Sequence, residues 1–284
     1  MGGNRFSMLE EDRMELKRYF ERVGFRGTAK PDRATLNRLM KAHVLSVTFE
    51  NLDVQLGVPV STGPTDAYCK IVDRHRGGWC FEQNALFRWA LREIGFQVAS
   101  LAGYVGRVDA APPRPASHLF LKVDLNEPLF VDVSFGGSLL KPMPLSPGRV
   151  EQVPYELSIN PTEDGYFRWS ETAHGETSSL DFTLQPVADD YFDETSHSLQ
   201  TSPDSPFVRT LTAQRRYEDR HVILRGLVKR TISQQGVKEM IIPSSEALVN
   251  CLRDDFRLDV PQIETCWDKI KARHMQVMAE RAAN

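Results

Sequence analysis

Arg76-Gly77-Gly78-Trp79-Cys80-Phe81-Glu82-Gln83-Asn84 opens a segment, Cys80 to Ile94, whose apolar residues Phe81, Leu86, Trp89, Ala90 and Ile94 recur at helical spacing before Gly95. The spacing predicts an amphipathic helix over 80–94, with Gly95 as its C-terminal stop. A thiol at that helix start faces unpaired backbone N–H groups and the positive end of the helix dipole, which favour thiolate over thiol. Cys80 is therefore a candidate nucleophile.

Outward from this helix, the first hundred residues read as helical. Leu9 to Val23 places Met14, Leu16, Phe20 and Val23 on one face, with Gly24 as a stop. A second helix opens at Asp32-Arg33-Ala34-Thr35-Leu36, with Pro31 just outside it. Thr65-Asp66 caps a third, short one running through Asp73, ended by Gly77-Gly78. After Gly95 the pattern changes to strands. Gln97–Val108 is rich in small and β-branched residues. His118–Leu125 and Leu129–Phe135 flank Asn126-Glu127-Pro128 as an antiparallel hairpin. Tyr155–Ile159, Tyr166–Thr172 and Ser179–Val187 add short strands, which together suggest a barrel or strongly curved sheet. Asp189–Pro206 is polar and acidic, a linker or long surface loop. Strand-like runs such as Val222-Ile223-Leu224 follow, then two helices, one after Pro243-Ser244-Ser245-Glu246 and one from Pro261 to about Met278.

The bulk composition narrows the partners. Lys+Arg 35 against Asp+Glu 38 gives a net charge of −3, so no basic excess points to nucleic acid or an anionic membrane surface. No run of eighteen apolar residues predicts a membrane span, and Met1–Arg22 lacks a signal-peptide core, so the expected compartment is the cytoplasm. The four cysteines, Cys69, Cys80, Cys251 and Cys266, fit neither a disulfide framework nor paired CxxC zinc spacing. Free thiols and no metal are expected.

A nucleophilic cysteine needs a base, and the base an orienting group. Among seven histidines, His118 stands out because its strand pairs with the one containing Asp132. Asp132 interrupts an apolar strand between Val131 and Val133, and a buried carboxylate there requires a partner. His118, donating through Nδ1, would supply one. Taken singly, each of these three residues is more often structural than catalytic. Glu82 and Asn84, on the first turn of the Cys80 helix, read as braces for the site, and Arg76 as the partner of a buried acid.

The long motif around Cys80, together with Phe49-Glu50-Asn51-Leu52-Asp53 upstream and Val131-Asp132-Val133-Ser134-Phe135-Gly136-Gly137 downstream, resembles the arylamine N-acetyltransferases. The likeness is strongest from His43 to Gly137 and weakens after about Ser158. Trp79 stands where Tyr or Phe is common, Ser134 where Gly is common, and the loop Asp109–Ser117 is unusually rich in proline. The resemblance implies a multi-domain α+β chain: an N-terminal helical bundle carrying the cysteine (1–96), a central antiparallel β-barrel carrying His and Asp (97–200) and a C-terminal α/β lid (201–284). At its centre would lie a cysteine-protease-like Cys-His-Asp core of Cys80, His118 and Asp132. It further implies acetyl-CoA as acetyl donor and N-acetylation of arylamines, arylhydrazines and arylhydroxylamines by a ping-pong route through acetyl-cysteine. Phe135 matches an aromatic of the family's acceptor pocket. Gly136 and Gly137 would let pantetheine or phosphate approach the backbone. The expected partners are these small molecules, with neither nucleic acid nor membrane, and weak homo-oligomerisation left open. Cys, His and Asp in this order also serve amide hydrolysis, and an inert scaffold would keep the fold without the chemistry. Amine acceptance and thiol reactivity separate these alternatives.

Overall fold

A computed structural model describes residues 14–108, 115–135 and 139–282, and side chains up to residue 280. The N-terminal helices are α1 (Leu16–Val23), α2 (Arg33–Ser46), α3 (Leu52–Leu56), α4 (Pro64–Tyr68) and α5 (Cys80–Ile94). Of the helix expected from Leu9, residues 9–13 lie outside the described residues, and α1 begins only at Leu16. Asp32 caps α2 as expected, its carboxylate accepting the Thr35 N–H at 2.7 Å. The expected Thr65-Asp66 cap is displaced: Gly63 is the N-cap of α4, because Pro64, with its fixed φ and missing N–H, suits the first helical position. A π-turn over Cys69–Asp73 completes that segment. Gly95 ends α5 in the left-handed region at φ 101°, a conformation that costs glycine little.

The next strands are β2 (Gln97–Val105), β3 (His118–Asp124), β4 (Pro128–Val131), β5 (Met143–Pro144), β6 (Gly148–Gln152), β7 (Tyr155–Pro161), β8 (Phe167–Ala173) and β9 (Glu176–Val187). They form one antiparallel sheet in the order β5-β4-β3-β2-β9-β8-β7-β6. Its two edge strands are consecutive in the chain, so the sheet curls into a nearly closed barrel. The Gln152 side chain bridges the gap, accepting from Leu140 N–H at 2.6 Å and Lys141 N–H at 2.9 Å and donating to Lys141 O at 2.8 Å. Buried Phe120, Phe130, Phe182 and Trp169 fill the interior, with Phe120 stacked on Phe130 at 4.5 Å between centroids.

Further expectations change. β4 stops at Val131, so Asp132 lies beyond the strand. The stretch read as a linker holds a helix, α6 (Asp193–Thr201), followed by short α7 (Pro206–Arg209). The buried ring of Phe192 anchors the start of α6 against Phe81 at 5.0 Å, and little of the remaining helix is apolar enough to show a face.

A five-stranded antiparallel sheet closes the structure in the order β1-β10-β11-β12-β13. Its last four strands are Thr212–Arg216, Arg220–Arg225, Val228–Ser233 and Gly236–Ile241. β1 is Phe49–Glu50, within the stretch expected to be wholly helical, and Phe49 pairs with Gln214. Helix α8 (Ser245–Phe256), capped by Ser244, packs Leu248, Leu252 and Phe256 against Leu52, Ala213 and Leu224. A 3₁₀ turn (Pro261–Cys266) leads into α9 (Trp267–Ala282).

Candidate active site

The loop before Cys80 is held by backbone contacts that leave little room for side chains. Gly78 N–H donates to Thr48 O at 3.1 Å and Glu50 N–H to Gly78 O at 3.2 Å, a bridge against β1. A Cβ on Gly77 would lie 2.2 Å from Thr48 O and 2.7 Å from Glu50 Cγ, so glycine is required there by space. Trp79 is the N-cap of α5, and Glu82 Oε2 accepts its N–H at 3.0 Å. Cys80, the first helical residue, is 2% exposed. The first-turn N–H groups of a helix have no intrahelical acceptor and can hold an anion or a developing oxyanion.

A buried ionic cluster fixes this helix start. Lys70 Nζ lies 2.8 Å from Asp53, 2.9 Å from Glu82 and 3.8 Å from Glu50, and Arg76 reaches Glu50 and Asp53 at 2.9 Å each. Both Arg76 and Glu82 thus take the structural roles expected of them. Burial alone would depress Lys70, but the Glu50, Glu82 and Asp53 carboxylates together raise it. With three acids facing two cations, one acid is left short of compensation. Burial pushes Glu82 up to about 7 even against Lys70.

His118 begins β3, and its Nε2 lies 2.6 Å from Asp132 Oδ2. The bond uses Nε2, where Nδ1 had been expected. Nδ1 is thereby not engaged by the acid, and His118 and Cys80 line the same cavity. Asp132 itself turns the chain at the end of β4. Its Oδ1 accepts the N–H groups of Ser134 at 2.9 Å and Phe135 at 3.2 Å, an Asx-type turn that ends the strand. Asn84, one turn after Cys80, donates to Asp132 Oδ1 at 3.0 Å, Leu119 O at 2.6 Å and Ser134 Oγ at 2.7 Å. One amide therefore ties the Cys80 helix to the segments carrying His118 and Asp132, which is the bracing read from the sequence. Burial would lower His118, but the Asp132 charge and hydrogen bond, with Cys80, lift it to about 10. The acid thus favours the cationic imidazole, the form that can stand opposite a thiolate. Cys80 Sγ also lies 3.9 Å from Ser117 O.

Cys80 and His118 line a cavity of about 510 Å³, whose lining includes Phe49, Phe135 and Phe207. Phe135 meets His118 edge-on at 5.1 Å and Trp169 at 5.0 Å, so it belongs both to the cavity wall and to the barrel packing. Gly136 and Gly137 lie outside the described residues. The reading of the sequence missed Phe207, which sits on α7 and packs on Trp79 at 5.4 Å. Only the Ser205-Pro206 helix start hinted at order there. Phe49 was noted in a motif, but its place in the wall depends on pairing with Gln214, far along the chain.

Residues 32–265 match the family model described as N-acetyltransferase, well past Ser158. The arylamine N-acetyltransferase of Mycolicibacterium smegmatis is 34% identical over 259 residues, covering 87% of this chain and 93% of that protein. The solved arylamine N-acetyltransferase of M. tuberculosis superposes with a TM-score of 0.83 at 29% identity, over 90% of this chain and 99% of that one. That of Mycobacterium marinum in complex with CoA gives a TM-score of 0.82 at 29% identity, over 91% and 98%. This chain belongs to the arylamine N-acetyltransferase family and is an acetyltransferase by class.

Proposed function

We propose that Cys80, His118 and Asp132 form a catalytic triad that moves an acetyl group from acetyl-CoA to an arylamine, arylhydrazine or arylhydroxylamine. The observation that carries this reading is His118 held at 2.6 Å by Asp132 in the same aromatic-lined cavity as Cys80. In the first step the Cys80 thiolate attacks the thioester carbonyl, the helix N-terminus stabilises the oxyanion, and CoA leaves as its thiol with the proton of His118. In the second, the amine attacks acetyl-Cys80 and His118 takes the amine proton, restoring the imidazolium–thiolate pair. An arylamine is mostly neutral at pH 7, so it attacks without first shedding an ammonium proton, and Phe135, Phe49 and Phe207 suit a flat ring. The reading keeps the division into bundle (1–96), barrel (97–200) and lid (201–284), and places the enzyme in the cytoplasm. Initial rates with acetyl-CoA and an aniline both varied should give parallel double-reciprocal lines. Intersecting lines would replace the two-step route by direct transfer in a ternary complex.

A further inference from the structure

Two buried histidines in this fold share a hydrogen-bonding pattern that differs at one atom. His43 on α2 pairs Nδ1 with the Tyr19 hydroxyl at 2.8 Å and Nε2 with Gln83 Oε1 at 3.3 Å. Gln83 Nε2 donates to Gly78 O and Thr48 O, so its Oε1 is an acceptor and the His43 proton sits on Nε2. His221 on β11 repeats the first half, with the Tyr155 hydroxyl 2.7 Å from Nδ1. Burial holds both imidazoles neutral, pushing each down to about 3, and raises Tyr155 so that it stays a protonated phenol. A phenol is the stronger donor of the two and an imidazole nitrogen the stronger acceptor. Tyr155 therefore donates to Nδ1, and the proton of His221 sits on Nε2.

There the pattern stops. Nε2 of His221 is buried and has no hydrogen-bond partner among the described residues, whereas the matching atom of His43 has Gln83. A buried donor left without an acceptor is destabilising, so Nε2 calls for an acceptor that the described residues do not supply, such as a substrate oxygen or a water. His221 and Tyr155 both line the cavity that holds Cys80 and His118. Glu171, Glu176, Arg225 and Arg230 line it as well, two carboxylates against two guanidiniums, with Arg230 held on Glu176 at 2.8 and 2.9 Å. No excess of charge there selects an ionic group.

We propose that His221 is a specificity-determining residue whose Nε2–H receives a neutral, hydrogen-bond-accepting oxygen of the bound substrate. The assignment rests on the acyl-transfer reading of this cavity. Two sources carry such an oxygen: an amide carbonyl of the pantetheine arm, and a ring substituent of the amine. In a two-step transfer each substrate meets the enzyme in its own half-reaction, so kcat/KM for each reports its own contacts.

The test uses the full chain and the variants His221→Phe, His221→Gln and Tyr155→Phe. Donors are acetyl-CoA and phenyl acetate, which lacks pantetheine; acceptors are 4-methoxyaniline, 4-aminoacetophenone and 4-ethylaniline. His221→Phe should lower kcat/KM about tenfold for acetyl-CoA relative to phenyl acetate, or for the oxygen-bearing anilines relative to 4-ethylaniline. The ratio that moves names the source. His221→Gln keeps an N–H donor and should recover part of the loss. Tyr155→Phe frees the ring proton to leave Nε2 and should lower the same ratio by a smaller factor, which also serves if His221→Phe does not fold. Both ratios staying within twofold of wild type in the folded variants would overturn the assignment. A chain that never forms acetyl-Cys80 refutes the acyl-transfer reading instead. The same anilines, and CoA against acetate, are then compared as protectants of Cys80 against iodoacetamide, and the preference for oxygen and its loss in Tyr155→Phe decide the subsite.

Discussion

Replacing Asp132 with asparagine changes few atoms but, in this geometry, reverses a proton. Oδ1 of Asp132 accepts from Asn84 Nδ2 at 3.0 Å, Ser134 N–H at 2.9 Å and Phe135 N–H at 3.2 Å, donors all. In Asp132→Asn the amide oxygen must stay with them, so the NH₂ group faces His118. A donor at Nε2 requires that nitrogen to be unprotonated, and the neutral ring then carries its proton on Nδ1, toward the sulfur. It can no longer accept from the thiol. The lift of His118 from 6.5 to about 10 corresponds to roughly 5 kcal/mol favouring the imidazolium. Losing it should slow thiol chemistry by on the order of 10³–10⁴, comparable to the ~10⁴ of wrong-tautomer triads. The assay is the second-order rate of iodoacetamide alkylation from pH 5 to 10, with unfolding followed in parallel. The sign in the wild type follows from a raised folded-state pKa. Stabilisation from the cationic ring is complete below about 6.5 and is lost as the pH climbs through about 10, which the unfolding measurements follow. The variant should react slowly, speeding up only as an ordinary thiol ionises. Alkylation within about threefold of wild type at pH 7 would refute the reasoning.

Two further changes probe the support beneath Cys80. Lys70→Met strands the Asp53 and Glu82 carboxylates, with Arg76 left to offset three acids, and should cost about 3–5 kcal/mol in urea unfolding at pH 8. The loss should shrink at pH 5, where Glu82 already holds a proton; a cost under about 1 kcal/mol at pH 8 would contradict the cluster's role. Gly77→Ala forces its Cβ against Thr48 O and should cost about 1–3 kcal/mol and slow Cys80 alkylation. A wild-type denaturation midpoint with unchanged alkylation would show that the loop has room.

Local signals were read well where neighbours in sequence decide the outcome. The span Cys80–Ile94 and its stop at Gly95 follow from apolar spacing and one glycine, and Asp32 caps α2 through a residue three positions on. Features decided by distant partners were illegible. A two-residue strand at Phe49–Glu50 exists because β10 lies beside it, and nothing in its own composition separates it from the helices around it. The apolar run Leu129–Phe135 looks like one strand, yet the carboxylate of Asp132 captures the next N–H groups and bends the chain. Helix α6 escaped notice because Asp193–Thr201 is polar almost throughout and is anchored by the adjacent Phe192. In the site, pairing His118 with Asp132 was readable from the hairpin. Which imidazole nitrogen faces the acid was not, because it depends on how the ring lies between α5 and β4. Phe207 reaches the cavity only through a fold of the chain that spacing does not encode.

The most direct measurement is the intact mass of the protein after exposure to acetyl-CoA with no amine present, followed by peptide mapping. A single added acetyl group on Cys80, discharged when aniline is supplied, is the predicted result. Steady acetylation of aniline by a protein that never carries that group would contradict the account.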